Sequence, residues 1–197
     1  MKLIHVLPKQ PFYLVSQSPR RKWLLSCLPL SFQVLAPGEE PPADARRAPD
    51  ALVLANAKAK ISPYADAARG LFLGCDTMIV SSGRLLGKPR DRAQAREYLR
   101  HLSGRCHTVM SGVVLRDAQR GIRIGWVAQT RLWFHHLSPK LLTWYLDSGE
   151  WRGKAGAYGL QGLARRFMAK KHGSLTNVYG LPLNTLVQML LVLRRRK

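Results

Sequence analysis

"GLFLGCDTMIV", residues 70–80, is apolar at almost every position and is interrupted by a single carboxylate, Asp76. A near-continuous apolar run of this length marks a strand covered on both faces, since a strand with one wet face alternates polar and apolar residues. Its neighbours supply the covering layers. Phe12–Val15 reads as a short strand, and Pro19 then opens a helix over 19–28 in which Trp23 takes a core position with Leu24, Leu25 and Leu28. "FQVLA" (32–36) is a further strand, and "PGEEPPADARRA" (37–48), with its three prolines, is a loop. Residues 50–60 form a helix with Leu52, Val53 and Leu54 inside. After "SSG" (81–83) turns the buried strand, "DRAQAREYLRHLSG" (91–104) opens with the Asp91…Gln94 capping spacing and closes on Gly104. "HTVMSGVVL" (107–115) and "IRIGWVAQTRLWF" (122–134) are long strands expected to pair. "SPKLLTWYLDSG" (138–149) is a helix with Ser138 as cap, Pro139 at its first position and Gly149 beyond its end. A Gly-rich stretch (153–162), a strand near 164–169 and a last helix from Pro182 complete the chain. Strands and helices alternate with some strands adjacent, so the expected class is α/β: a mixed twisted sheet with flanking helices.

The chain has 197 residues and is 46% hydrophobic, enough for one domain with a real core, and this excludes disorder. Lys and Arg number 32 against 11 Asp and Glu, a formal net charge of +21, which favours polyanionic partners such as nucleic acid or a phosphorylated metabolite. Cys27, Cys75 and Cys106 are too few and scattered for a disulfide framework or a metal knuckle, and a reduced cytoplasmic setting is expected. The start "MKLIHVLPKQPF" does not read as a signal peptide, and "LPLNTLVQMLLVLRRRK" (181–197) is too short and interrupted to span a bilayer. The expected organisation is a single domain, with residues 1–11 and 194–197 as basic or flexible ends.

Carboxylates are scarce, and Asp76 is the odd one. A lone carboxylate inside an apolar strand costs several kcal/mol unless paired or bound to metal. It is therefore either a structural ion pair with an arginine, or a metal ligand or general base facing a cleft. "GRLLGKP" (83–89) is not a phosphate loop: three residues separate its glycines, and Pro89 stands where Ser or Thr is needed. Lys88 can still hold a phosphate as a point charge. His135 and His136 read as structural. Arg20 and Arg21, in the first turn of a helix, add guanidinium forks to free backbone N–H groups and the positive end of the helix dipole, a good phosphate site. A nucleic-acid surface would instead need basic residues spread along one face with stacking aromatics between them.

The segments "SQSPRRKWLL", "CDTMIV…GRLLGKPRDRAQAREYLRHLSGRCHTVMSGV" and "KAGAYGLQG…GSLTNVYGLPL" resemble, in order, the Maf family of nucleoside triphosphate pyrophosphatases, over roughly residues 12 to 190. "GAYGLQG" resembles the branch acting on dTTP and UTP. The resemblance implies a fold of the inosine-triphosphatase type with two lobes around a cleft. It also implies hydrolysis to the nucleoside monophosphate and pyrophosphate with a divalent cation, Mg²⁺ or Mn²⁺. By position it implies Asp76 as proton acceptor and, with Glu40, as holder of the metal. It ties Arg20, Thr77 and Gln161 to substrate preference, and Arg21, Lys58, Lys88 and Lys154 to the phosphates, with Ser18 in the same substrate-binding motif. A homodimer is a further expected partner state; a membrane is not. Two departures stand out: Gly153 replaces an Asp usual before the Lys of "KAGAY", and Trp23 replaces a Glu. The alternative reading is a basic nucleic-acid-binding protein on a Maf scaffold with weak or no hydrolase activity.

Overall fold

A computed structural model describes residues 10–41 and 47–195. The expectations for the chain's first residues, for part of the 37–48 loop and for the last two residues fall outside it. The elements are β1 (Phe12–Val15), α1 (Pro19–Ser26), β2 (Gln33–Leu35), α2 (Pro49–Lys60), β3 (Leu71–Ser81), β4 (Arg84–Leu86), α3 (Arg92–Leu102), β5 (Cys106–Asp117), β6 (Ile122–Phe134), α4 (Pro139–Asp147), β7 (Met168–His172), α5 (Leu175–Val178) and α6 (Leu183–Arg195). The strands form a mixed sheet in the order β2-β1-β3-β5-β6-β7, with β4 paired to β3. No helix among the described residues is long and apolar enough to cross a membrane.

The chain divides into two compact units. The first holds the residues up to Asp76, Ser111–Ala128 and those from Gly180 onward; the second holds Thr77–Met110 and Gln129–Tyr179. In the first, β1 runs parallel to both β2 and β3, with Val15 opposite Leu35 and Gly74. Parallel neighbours need crossovers, and α1 and α2 supply them. Leu71 through Asp76 are all buried, as a strand covered on both faces requires. Helix α2 lies unusually close to the sheet. A Cβ on Gly74 of β3 would sit 2.8 Å from the Ile61 side chain and collide with the Ala57 carbonyl, and one on Gly112 of β5 would collide with the backbone at Val53. These two glycines give α2 its seat.

In the second unit, Ser82 and Gly83 both adopt positive φ (48° and 74°), the two-residue turn that matches strand twist, and join β3 to antiparallel β4. Asp91 caps α3 by accepting from Gln94 N at 2.7 Å, and Ser138 caps α4 by accepting from Leu141 N at 3.2 Å. The core gathers Leu99 and Leu102 of α3, Leu132 and Phe134 of β6, Tyr145 and Leu146 of α4, and Phe167.

Two expectations are corrected. The segment expected as a strand near 164–169 is a 3-10 helix, Leu163–Phe167, and β7 begins only at Met168. Ala164 and Phe167, three apart, are the buried pair there, which is one 3-10 turn and no strand alternation. Trp23 is not in the core: it is 55% exposed. Helix α1 buries only Leu24 and Leu25; at about 100° per residue Trp23 lies some 150° from the middle of that stripe.

Candidate active site

Asp76 sits at the end of the buried half of β3, and each oxygen of its carboxylate has one partner. Oδ1 accepts from Lys60 Nζ at 2.6 Å and Oδ2 from Asn56 Nδ2 at 3.1 Å. Lys60 also donates to the Cys75 carbonyl at 3.2 Å and pairs with Glu40 Oε1 at 2.9 Å. An ammonium has three N–H donors, and these three acceptors use them all. The partner of Asp76 is thus a lysine, not the arginine weighed from sequence. Lys60 and Asp76 are buried, whereas the Glu40 side chain is 47% exposed, so the trio grades from interior to water and carries one net negative charge.

The α-helical period explains why Asn56 and Lys60 share this site: four residues apart, they lie on one face, and the close seat on Gly74 presses that face against Asp76. The signal was present in the spacing of the buried positions Leu52, Val53, Asn56, Ala57 and Lys60. Lys58, the residue singled out from sequence, is exposed, two positions and about 200° round the helix from Lys60.

The start of α1 is tied to the same strand ends. Ser18 caps the helix, accepting from Arg21 N, and Ser16 Oγ accepts from Ser18 N at 3.1 Å. Arg21 Nε donates to the Gly180 carbonyl at 2.8 Å, and Cys75 Sγ lies 3.2 Å from that same oxygen. Arg21 and the residue preceding Asp76 therefore share an acceptor. Burial, and next the charge of Arg21, pull the Arg20 guanidinium below its ordinary pKa. Two half-buried cations side by side at a helix N-terminus raise each other's energy, and a bound anion relieves this.

Thr77, half-buried, follows Asp76 in β3. In the second unit Lys88 and Lys154 are brought onto neighbouring segments, because Gly156 N donates to the Gly87 carbonyl at 2.9 Å. Lys154 Nζ donates to the Glu150 carbonyl, and its stem runs over Gly159, where a Cβ would come within 2.8 Å of Cδ and Cε. Glu150 Oε2 accepts from Leu163 N at 3.0 Å and anchors the far end of the Gly-rich stretch. Gln161 is exposed between these fixed points, and Lys88 is exposed as well. Gly153 has φ +67° with open space where a Cβ would stand, so a side chain there meets no obstacle but a strained backbone.

A divalent ion fits the donors present. Asp76 Oδ1 and Glu40 Oε1 already converge on one cation, the Lys60 ammonium, and the buried Asn56 Oδ1 has no hydrogen-bond partner among the described residues. Carboxylate and amide oxygens are what Mg²⁺ or Mn²⁺ prefer. No group of three His, Cys, Asp or Glu converges among the described residues, so water and substrate oxygens would have to complete the shell, the usual arrangement for Mg²⁺.

The model of the Maf family, described as "Maf-like protein", matches residues 11–193. The chain belongs to the Maf family. A dTTP/UTP pyrophosphatase of Pelotomaculum thermopropionicum is 42% identical over 180 residues, covering 90% of this chain and 93% of the relative. Those of Salmonella typhimurium (43% over 173 residues, 87% of each chain) and Vibrio cholerae (40% over 179 residues, 90% and 95%) are similarly close to this Maf chain.

Proposed function

We propose that this protein hydrolyses nucleoside triphosphates, dTTP and UTP foremost, to the nucleoside monophosphate and pyrophosphate. The observation that carries the reading is the Asp76–Lys60–Glu40 trio, buried at Asp76 and Lys60 and open at Glu40, beside an arginine-led helix start in a chain whose relatives bear the name dTTP/UTP pyrophosphatase. Arg20 and Arg21, with the first-turn N–H groups of α1, bind the phosphates, and Lys58, Lys88 and Lys154 add positive charge along the triphosphate. Asp76 takes the proton of the attacking water. Lys60 and Asn56 hold that carboxylate in one orientation, with both its oxygens fixed. Gln161 presents a donor and an acceptor side by side, the complement of the N3–H and a carbonyl of uracil or thymine, and Thr77 supports the same choice. Asp76 and Glu40 would hold Mg²⁺ or Mn²⁺. When bound, such an ion lowers the pKa of its water and neutralises charge on the phosphoryl group.

A panel of triphosphates, read by pyrophosphate release with and without Mg²⁺ or Mn²⁺, tests this. UTP and dTTP should lead and chelation should stop turnover; a clear preference for ATP or GTP would overturn the assignment. Asp76→Asn should lower kcat by about 10²–10⁴-fold with an unchanged circular dichroism spectrum; half of the wild-type rate would remove Asp76 as the base. Arg20→Ala should chiefly raise KM, since a phosphate contact is made in ground and transition state alike.

A further inference from the structure

The second unit carries a feature that triphosphate hydrolysis does not use. Its four carboxylates are Asp91, Glu97, Asp147 and Glu150. Each is engaged elsewhere: with Arg90, Arg84, Arg92 and the Leu163 amide respectively. On β6, Leu132 and Phe134 point into the core, so Arg131 and Trp133 share the opposite face. β7 pairs antiparallel with β6, placing His172 opposite Arg131 and Lys170 opposite Trp133, on that same outward face. The Arg131 guanidinium lies 5.7 Å from the centre of the Trp133 ring and the Lys170 ammonium 5.4 Å. β7 is the last strand of the sheet. Just upstream of it, Arg166 lies 5.3 Å over Trp144, which is 39% exposed. Basic residues on one strand pair flanking an indole, with no carboxylate paired to them among the described residues, are the pattern that sequence reading did not find around α1.

We infer that the outer face of β6 and β7 binds single-stranded nucleic acid. Bases stack on Trp133 while Arg131 and Lys170 hold phosphates. An exposed cation–π contact is weaker than base–indole stacking, so an arriving base displaces the cations from the ring onto the neighbouring phosphates. An indole on a sheet face can stack only on an unpaired base, which sets single strands apart as the occupant. None of its residues is among those assigned to the triphosphate or to the chemistry of Asp76.

The test uses the full-length protein and a fluorescein-labelled oligodeoxythymidine, read by anisotropy across a salt series. The expected result is binding with a log–log salt slope of about −1.4, two phosphates at roughly 0.7 each, and quenching of indole fluorescence on saturation. Trp133→Leu should weaken binding about tenfold. Arg131→Ala with Lys170→Ala should lower the slope by about 1.4. Both variants should keep wild-type pyrophosphate release. Unchanged oligonucleotide binding in both variants would overturn the proposal. So would equal or tighter binding to phosphatidylglycerol vesicles with protection of Trp133, which would make the face a lipid contact. Aggregation of Lys170→Gln with oligonucleotide binding intact would reduce the lysines to guards of an open sheet edge.

Discussion

Asp76 has both oxygens occupied by α2, so removing its partner and removing its charge have different consequences. Lys60→Met strands a buried carboxylate and should cost about 3–5 kcal/mol in denaturant unfolding. Combining it with Asp76→Asn should restore much of that loss, because no charge is then left unpaired; strictly additive losses would mean the pair is not coupled. A second residue reports on pH. His107 is buried against Tyr158, whose hydroxyl lies 2.8 Å from Nε2, and burial lowers its pKa from 6.5 to about 4. Between those values the unfolded chain binds a proton that the native chain refuses, so stability falls as pH drops from 6.5 towards 4, by at most about 1.4 kcal/mol per pH unit. His107→Gln should flatten the difference in Tm between pH 7 and pH 5; an unchanged difference would place the acid sensitivity elsewhere. Residue-scale reading from sequence singles out Asp76 by its isolation in an apolar run, and the structure shows it buried and paired. That reading missed Lys60, because a lysine on a helix is ordinarily read as solvated and only the spacing of its buried neighbours says otherwise.

At the scale of elements, what the sequence made legible was whatever carried its own punctuation. β1 and β6 have the expected bounds, and the caps at Asp91 and Ser138 work as their spacing implied. The failures share a cause. Residues 163–172 pass from a 3-10 turn into a strand with no glycine or proline between, so nothing local marks the change, and β7 starts four residues later than expected. In α1, adjacent leucines define a narrow stripe that leaves Trp23 outside it. The seat of α2 on Gly74 and Gly112 is a further property of an element pair, invisible in either segment alone. Gly74→Ala should lift α2 from β3 and cost about 1–3 kcal/mol, a fall in Tm of roughly 2–12 °C for a chain of this size. It should also lower kcat, since Lys60 and Asn56 travel with the helix. A variant with lowered Tm and full kcat would separate the seat from the site.

For the whole molecule the dominant quantity is charge. With +21 formal charges, self-repulsion opposes the compact state, and the described ion pairs engage only a minority of the cations. Added salt screens repulsion between scattered charges more than it weakens close pairs. Raising NaCl from about 20 to 200 mM should therefore raise Tm by a few degrees; a fall would show that local pairs outweigh the net charge. Composition announced this excess but not its placement, because the placement depends on which strands the fold makes neighbours.

Arg21 is held by the Gly180 carbonyl, and the first unit closes with α6, at the far end of the chain from α1. On the ribosome this fixes an order of events. Thr77–Tyr179, the limits of the second unit, have all been synthesised before the residue that seats Arg21 exists. A nascent chain can thus finish the half bearing the Gly-rich stretch before Gly180 exists to hold Arg21, so the start of α1 takes its native anchor only after every residue of the second unit has been made.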